Sequence, residues 1–145
     1  MKKQNSRKQN RVWILLNYFS LIALIVFFYT GKYFQWPISL VVFEIGSVVV
    51  FLISFLKAFI KTKYWKMVHT SYKNLDEREM QVVLNALRYA YSIFTIVCLI
   101  IIYAFAIVEY HPIDVLLAAG LLYLAHTLPA AIAAWNEKNI SIDDD

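Results

Sequence analysis

Residues 12–30 read VWILLNYFSLIALIVFFYT, nineteen consecutive positions without a charged side chain. Coiled as a helix, that run is about 28 Å long, close to the roughly 30 Å of hydrocarbon in a bilayer. Working outward, the pattern recurs in residues 37–60, 89–108 and 115–135, with only Glu44 and Lys57 interrupting the second run. The runs are continuous rather than alternating and too long for strands, which excludes a membrane barrel. The expected fold is therefore all-α, a polytopic four-helix transmembrane bundle.

The whole chain agrees. Of its 145 residues, 61% are hydrophobic and 17% charged, and its mean hydropathy is +0.57. Soluble domains carry about 45–50% apolar and about 25% charged residues. A lone cysteine, Cys98, excludes an intramolecular disulfide framework or a cysteine-rich metal site. The four runs fill more than half the chain and leave no room for a separate soluble domain.

Charge fixes the expected direction. Lys2, Lys3, Arg7, Lys8 and Arg11 precede the first run, and Lys57, Lys61, Lys63, Lys66, Lys73, Arg78 and Arg88 gather around the segment between runs two and three. Lys138 follows the fourth run, and only Lys32 falls on the other side. Cytoplasmic loops concentrate Lys and Arg, so both termini are expected in the cytoplasm and the protein in the cell (inner) membrane. Trp13, Trp36, Trp65 and Trp135 stand at or near run ends, where indole prefers the headgroup layer. The +4 net charge then faces an anionic inner leaflet, and no nucleic-acid partner is implied. The first run is longer than a signal-peptide core and lacks a small-residue cleavage site, so it reads as a retained anchor.

This order gives a basic N-terminus (1–11), a first hairpin (12–60), a cytoplasmic elbow (61–88), a second hairpin (89–135) and an acidic tail (136–145). The outer connections, 31–36 and 109–114, are short enough to make each pair of spans antiparallel neighbours. A shift of 75 positions lays Asn17 and Ser20 on Ser92 and Thr95, and Pro37 on Pro112, the pattern of a tandem hairpin. Packing of apolar helices also produces such echoes.

The elbow is not all loop. Asn74-Leu75-Asp76-Glu77 fits a helix start, with Asn74 accepting from the first free N–H groups. Neither Gly nor Pro occurs between Leu75 and Glu109, so one helix is expected to run from the elbow through span three. Met80, Leu84, Leu87 and Tyr91 would form its apolar stripe. Before it, residues 61–68 mix cations with aromatics, as a segment lying in the membrane interface does.

Few residues offer chemistry. Counted from Pro37, Glu44 lies about 10 Å inside span two, where a carboxylate either handles a proton or cation or locks helices together. His126 lies mid-span four with Pro129 one turn on. It is either a satisfied buried histidine or, opposite Glu44, half of a relay, and two ligands are too few for zinc. Asn17, Ser20, Ser47 and Thr95 read as hydrogen-bonding links between helices before they read as ligands. Gly46-Ser47 and the alanines of residues 118–134 offer small surfaces for close helix packing. On the elbow, Lys61, Lys63, Trp65, Lys66, Asp76, Glu77, Arg78 and Glu79 are the candidates for partner or lipid contact. No nucleotide, zinc-protease or serine-hydrolase motif is present, so neither an enzyme nor a cofactor or metal is expected.

At Leu75-Asp76-Glu77-Arg78-Glu79, running into an apolar helix, the chain resembles small prokaryotic membrane proteins of unassigned function that carry an Asp-Glu-Arg-Glu stretch on the cytoplasmic side. The resemblance covers residues 74–110 and implies a prokaryotic membrane, with no activity attached. Small multidrug exporters share four short helices and one membrane carboxylate, but here it is in the second span and the Lys/Arg count is one-sided. The leading expectation is a non-enzymatic accessory or regulatory subunit, in a homo-oligomer or with a membrane-protein partner. The alternative is a small oligomeric transporter or channel built on Glu44.

Overall fold

Continuous apolar runs give the backbone only one way to satisfy itself away from water, and the chain takes it: the described residues are helical, with no strand among them. The computed structural model describes residues 2–35, 37, 41–107 and 113–136, with the backbone alone for residues 2–7. Helix α1 spans Lys2–Phe34 and α2 spans Val41–Phe55, continued by one π-helical turn, Leu56–Ile60. A short α3, Lys63–Val68, and a single 3-10 turn, Tyr72–Asn74, precede the long α4, Glu77–Ile107. Helix α5 spans Val115–Asn136. Four of these segments, Lys8–Phe34, Val41–Ile60, Glu77–Ile107 and Val115–Asn136, are long and apolar enough to cross a membrane.

The chain divides into two units, Met1–Thr62 and Lys63–Asp145. In the first, α1 packs against α2 and the π-helical turn that continues it. Trp13 receives Lys57, whose Nζ lies 4.2 Å from the ring centre. Tyr18 meets Phe59 edge-on at 6.4 Å, and Phe27 meets Phe43 at 6.4 Å. Ile14, Ala58 and Phe59 are buried in this unit. The π turn appears in the bond from Lys61 N–H to the Leu56 carbonyl at 3.2 Å, five residues back. Gly46 does not serve the close packing expected of it, since a Cβ there would meet nothing within 4 Å.

In the second unit a core of Met67, Val83, Ala86 and Ala133 ties α3, α4 and α5 together, with Tyr64, Leu75 and Ile132 against it. The alanine-rich half of α5 is an interface as expected: Ala130, Ala131, Ala133 and Ala134 are buried, as is Pro129 within the helix. Two expectations for α4 are corrected. Its buried stripe is Val83, Ala86 and Ala90; of the expected stripe Met80 and Leu87 are half-buried, whereas Leu84 is 51% and Tyr91 73% exposed. Small side chains allow the closer backbone approach, and Ala86 and Ala90 take the buried positions while Val82 and Leu87 pack at the edge of the core. Its N-cap is Asp76 and not Asn74. Asp76 Oδ1 accepts from the Glu79 N–H at 2.6 Å, and the Asp76 carbonyl accepts from Met80 N–H at 2.9 Å. Asn74 is instead used in the preceding 3-10 turn, its N–H bonded to the Ser71 carbonyl at 2.9 Å. An N-cap side chain accepts from the N–H two or three residues on, and Asp76 makes that bond to Glu79.

Candidate functional site

The polar residues of the first unit form a buried knot. Asn17 Nδ2 donates to Ser54 Oγ at 3.1 Å and to the Phe51 carbonyl at 3.2 Å. Ser54 Oγ donates to that same carbonyl at 2.9 Å, and Ser20 Oγ donates to the Asn17 carbonyl at 2.8 Å. Asn17 and Ser54 have no accessible surface. Two of the residues singled out from sequence, Asn17 and Ser20, therefore lie together, joined by Ser54 and satisfied by protein.

Ser47 bonds back to the Phe43 carbonyl at 2.9 Å and Thr95 to the Tyr91 carbonyl at 2.8 Å, each within its own helix. Ser92 does the same with the Arg88 carbonyl at 3.1 Å. Ser92 and Thr95 thus do not repeat the contacts of Asn17 and Ser20, their counterparts at the 75-residue shift. Glu44 is half-buried and stands in the first turn of α2. Pro37 is outside the described helix, so a depth counted from it does not hold. A carboxylate at that end of a helix is favoured by the free N–H groups and the dipole.

The elbow is where the structure adds most. Lys63 Nζ and Glu79 Oε1 pair at 2.8 Å, with side-chain exposures of 74% and 26%. The pair joins the start of α3 to the first turn of α4, where Glu79 also donates its N–H to Asp76. A pocket of about 200 Å³ opens beside it, bordered by Lys63, Tyr64, Asp76, Arg78 and Glu79 above the apolar floor of Met67 and Val82. Lys61, Lys66, Glu77 and Arg78 are exposed, and Trp65 is half-buried. Within the second unit Lys66, Glu77 and Arg78 thus present charge outside the packed core.

His126 is not a buried, satisfied histidine: it is exposed, and its ring meets Trp65 at 5.2 Å and His69 at 4.8 Å. Trp65 and His69 also face each other at 4.2 Å with an angle of 33° between planes. Sequence reasoning passed over His69. The available signal was its spacing of four from Trp65, which places both rings on one side of a helical turn. No group of three or more His, Cys, Asp or Glu placed to hold a metal occurs among the described residues. Asp143, Asp144, Asp145, His111 and Pro112 lie outside the described residues.

Comparison with protein-family models, curated proteins and solved structures finds no match for this chain. No role comes to it from a relative, and the Asp-Glu-Arg-Glu resemblance adds none.

Proposed function

We propose that this chain is a four-pass protein of the cell membrane, made of two antiparallel hairpins with both termini in the cytoplasm. It would act there as a non-enzymatic accessory or regulatory subunit. Supporting the membrane reading, Phe19, Ile22, Ile100 and Ile107 stand exposed along the long helices. Continuous apolar surface of that extent suits lipid and not water. Supporting the hairpin in the first unit is the opposed order of the pairs 13–57, 17–54 and 27–43. The Lys/Arg asymmetry carries the orientation.

The observation that carries the functional reading is the folded elbow. A segment serving only as a connection needs neither a capped helix nor a core of its own. Here α3 and the start of α4 are fixed against α5 by Met67, Val83, Ala86 and Ala133, while Lys66 and Arg78 remain outside. A rigid base that presents charge is suited to an acidic patch on a partner subunit or to anionic headgroups. The test is charge reversal at Lys61, Lys66 and Arg78 in the intact protein, followed by cross-linking in native membranes. Loss of the protein or lipid adducts supports the reading, and an unchanged adduct pattern overturns it. Orientation is checked with single cysteines at positions 5 and 140, expected to react with an impermeant maleimide only after cells are opened.

The transporter reading draws less support, because Glu44 stands in the first turn of α2 and Ser47 is engaged within its own helix. Glu44→Gln that abolishes pH-dependent flux in liposomes would restore it.

A further inference from the structure

We propose that His69 and His126 form a bis-imidazole site for a divalent first-row transition ion, copper(II) binding more tightly than zinc(II). The site depends on tertiary structure, since His69 follows α3 and His126 lies in α5. His69 Nδ1 stands 2.8 Å from the Trp65 carbonyl. A carbonyl oxygen only accepts, so that nitrogen carries the proton and Nε2 keeps a lone pair. Metal-binding histidines are commonly oriented in this way, one nitrogen on a backbone carbonyl and the other free to ligate. Among the described residues, His126 makes ring contacts alone.

The separation of the two rings decides what kind of ion suits them. With a metal about 2.0 Å from each nitrogen, rings in adjacent coordination positions have centres roughly 4.5–5.1 Å apart, against roughly 6 Å for rings in opposite positions. The observed 4.8 Å falls in the first range. It suits a tetrahedral or tetragonal ion and is too short for a linear cuprous one. Imidazole nitrogen and the affinity order of divalent metals favour copper(II), with zinc(II) next. Both rings are exposed, so protein does not close the remaining positions. The result is an exchangeable ion, unlike a structural zinc centre closed by four protein ligands. Bound there, it would fasten the turn after α3 to α5.

Trp65 supplies the readout, since its ring adjoins both imidazoles. The full-length chain in detergent, with Trp13, Trp36 and Trp135 replaced by Phe, is titrated with copper(II) while Trp65 fluorescence is followed. Saturable quenching is expected, relieved by competing zinc(II), which does not itself quench. His69→Gln and His126→Gln should each weaken the apparent affinity by about tenfold or more, while His111→Gln leaves it unchanged. Absence of saturable quenching, persistence at full affinity in either variant, or an equal loss in His111→Gln would overturn the site. Should His126→Gln lose helical ellipticity, His69→Gln decides alone, because His69 sits in an exposed turn.

Discussion

Asn17 and Ser54 meet across α1 and α2 through a 3.1 Å hydrogen bond, with no accessible surface on either residue. A primary amide at that position has two donors to satisfy, and the Phe51 carbonyl takes the second at 3.2 Å. The knot is therefore directional where the surrounding apolar contacts are not. It specifies which face of α1 meets which turn of α2.

Removing either partner should loosen the first unit. Asn17→Ala and Ser54→Ala are each expected to cost about 1–2 kcal/mol, the range for interhelical hydrogen bonds in membranes plus a share of the unsatisfied partner. Reversible unfolding in mixed micelles measures this. The double variant should cost less than the sum of the singles, because both substitutions break one bond.

The cap assignment separates Asp76 from Asn74. Asp76→Ala should destabilise the start of α4 by about 1 kcal/mol, and Asp76→Asn by less, since Asn also caps. Asn74→Ala is expected to stay within about 0.5 kcal/mol. Amide exchange at Glu79 and Met80 reports the fraying directly. Equal effects at positions 74 and 76 would contradict the geometry.

The Lys63–Glu79 pair is conspicuous and weak. With Lys63 74% exposed, solvent screens it, and Lys63→Ala should change stability by no more than about 0.5 kcal/mol. Raising salt from 0.05 to 0.5 M, roughly a threefold shorter screening length, should erase even that difference. A larger, salt-independent loss would mean that the Lys63 stem contributes through packing.

Small residues in α4 and α5 are expected to resist enlargement. Ala86→Leu or Ala133→Leu, at positions 1% and 0% exposed, should cost about 1–3 kcal/mol by overpacking. Tyr91→Leu, on the outward face, should be close to neutral. Thermal melts of the three variants in one detergent make the comparison, and a reversed order would return the buried face to the large apolar residues.

Gly46 offers the opposite case. Because a Cβ there meets nothing, Gly46→Ala should raise stability by about 0.5–1 kcal/mol through helix propensity. Loss of stability instead would reveal a close contact made by that face in an assembly.

The four apolar helices, the long uninterrupted α4 and the alanine-rich interface of α5 were legible in the residues. Each rests on a local property: hydropathy summed over one run, the absence of helix breakers, or the size of consecutive side chains. The side of α4 that is buried was not legible. Met80, Leu84, Leu87 and Tyr91 make as good a helical stripe as Val83, Ala86 and Ala90, and in an apolar helix periodicity does not separate lipid from protein. Nor did the residues show that Asn17 selects Ser54 from several hydroxyls, or that the elbow folds back to bring His69 and Trp65 to His126. Those pairings join positions 37 to 61 residues apart, and only the packing of helices on one another chooses among them. Sequence thus determined how much of the chain avoids water, because burial in lipid depends on composition alone. Tertiary structure decided which polar groups meet, because hydrogen bonds and ring contacts require particular atoms at particular distances.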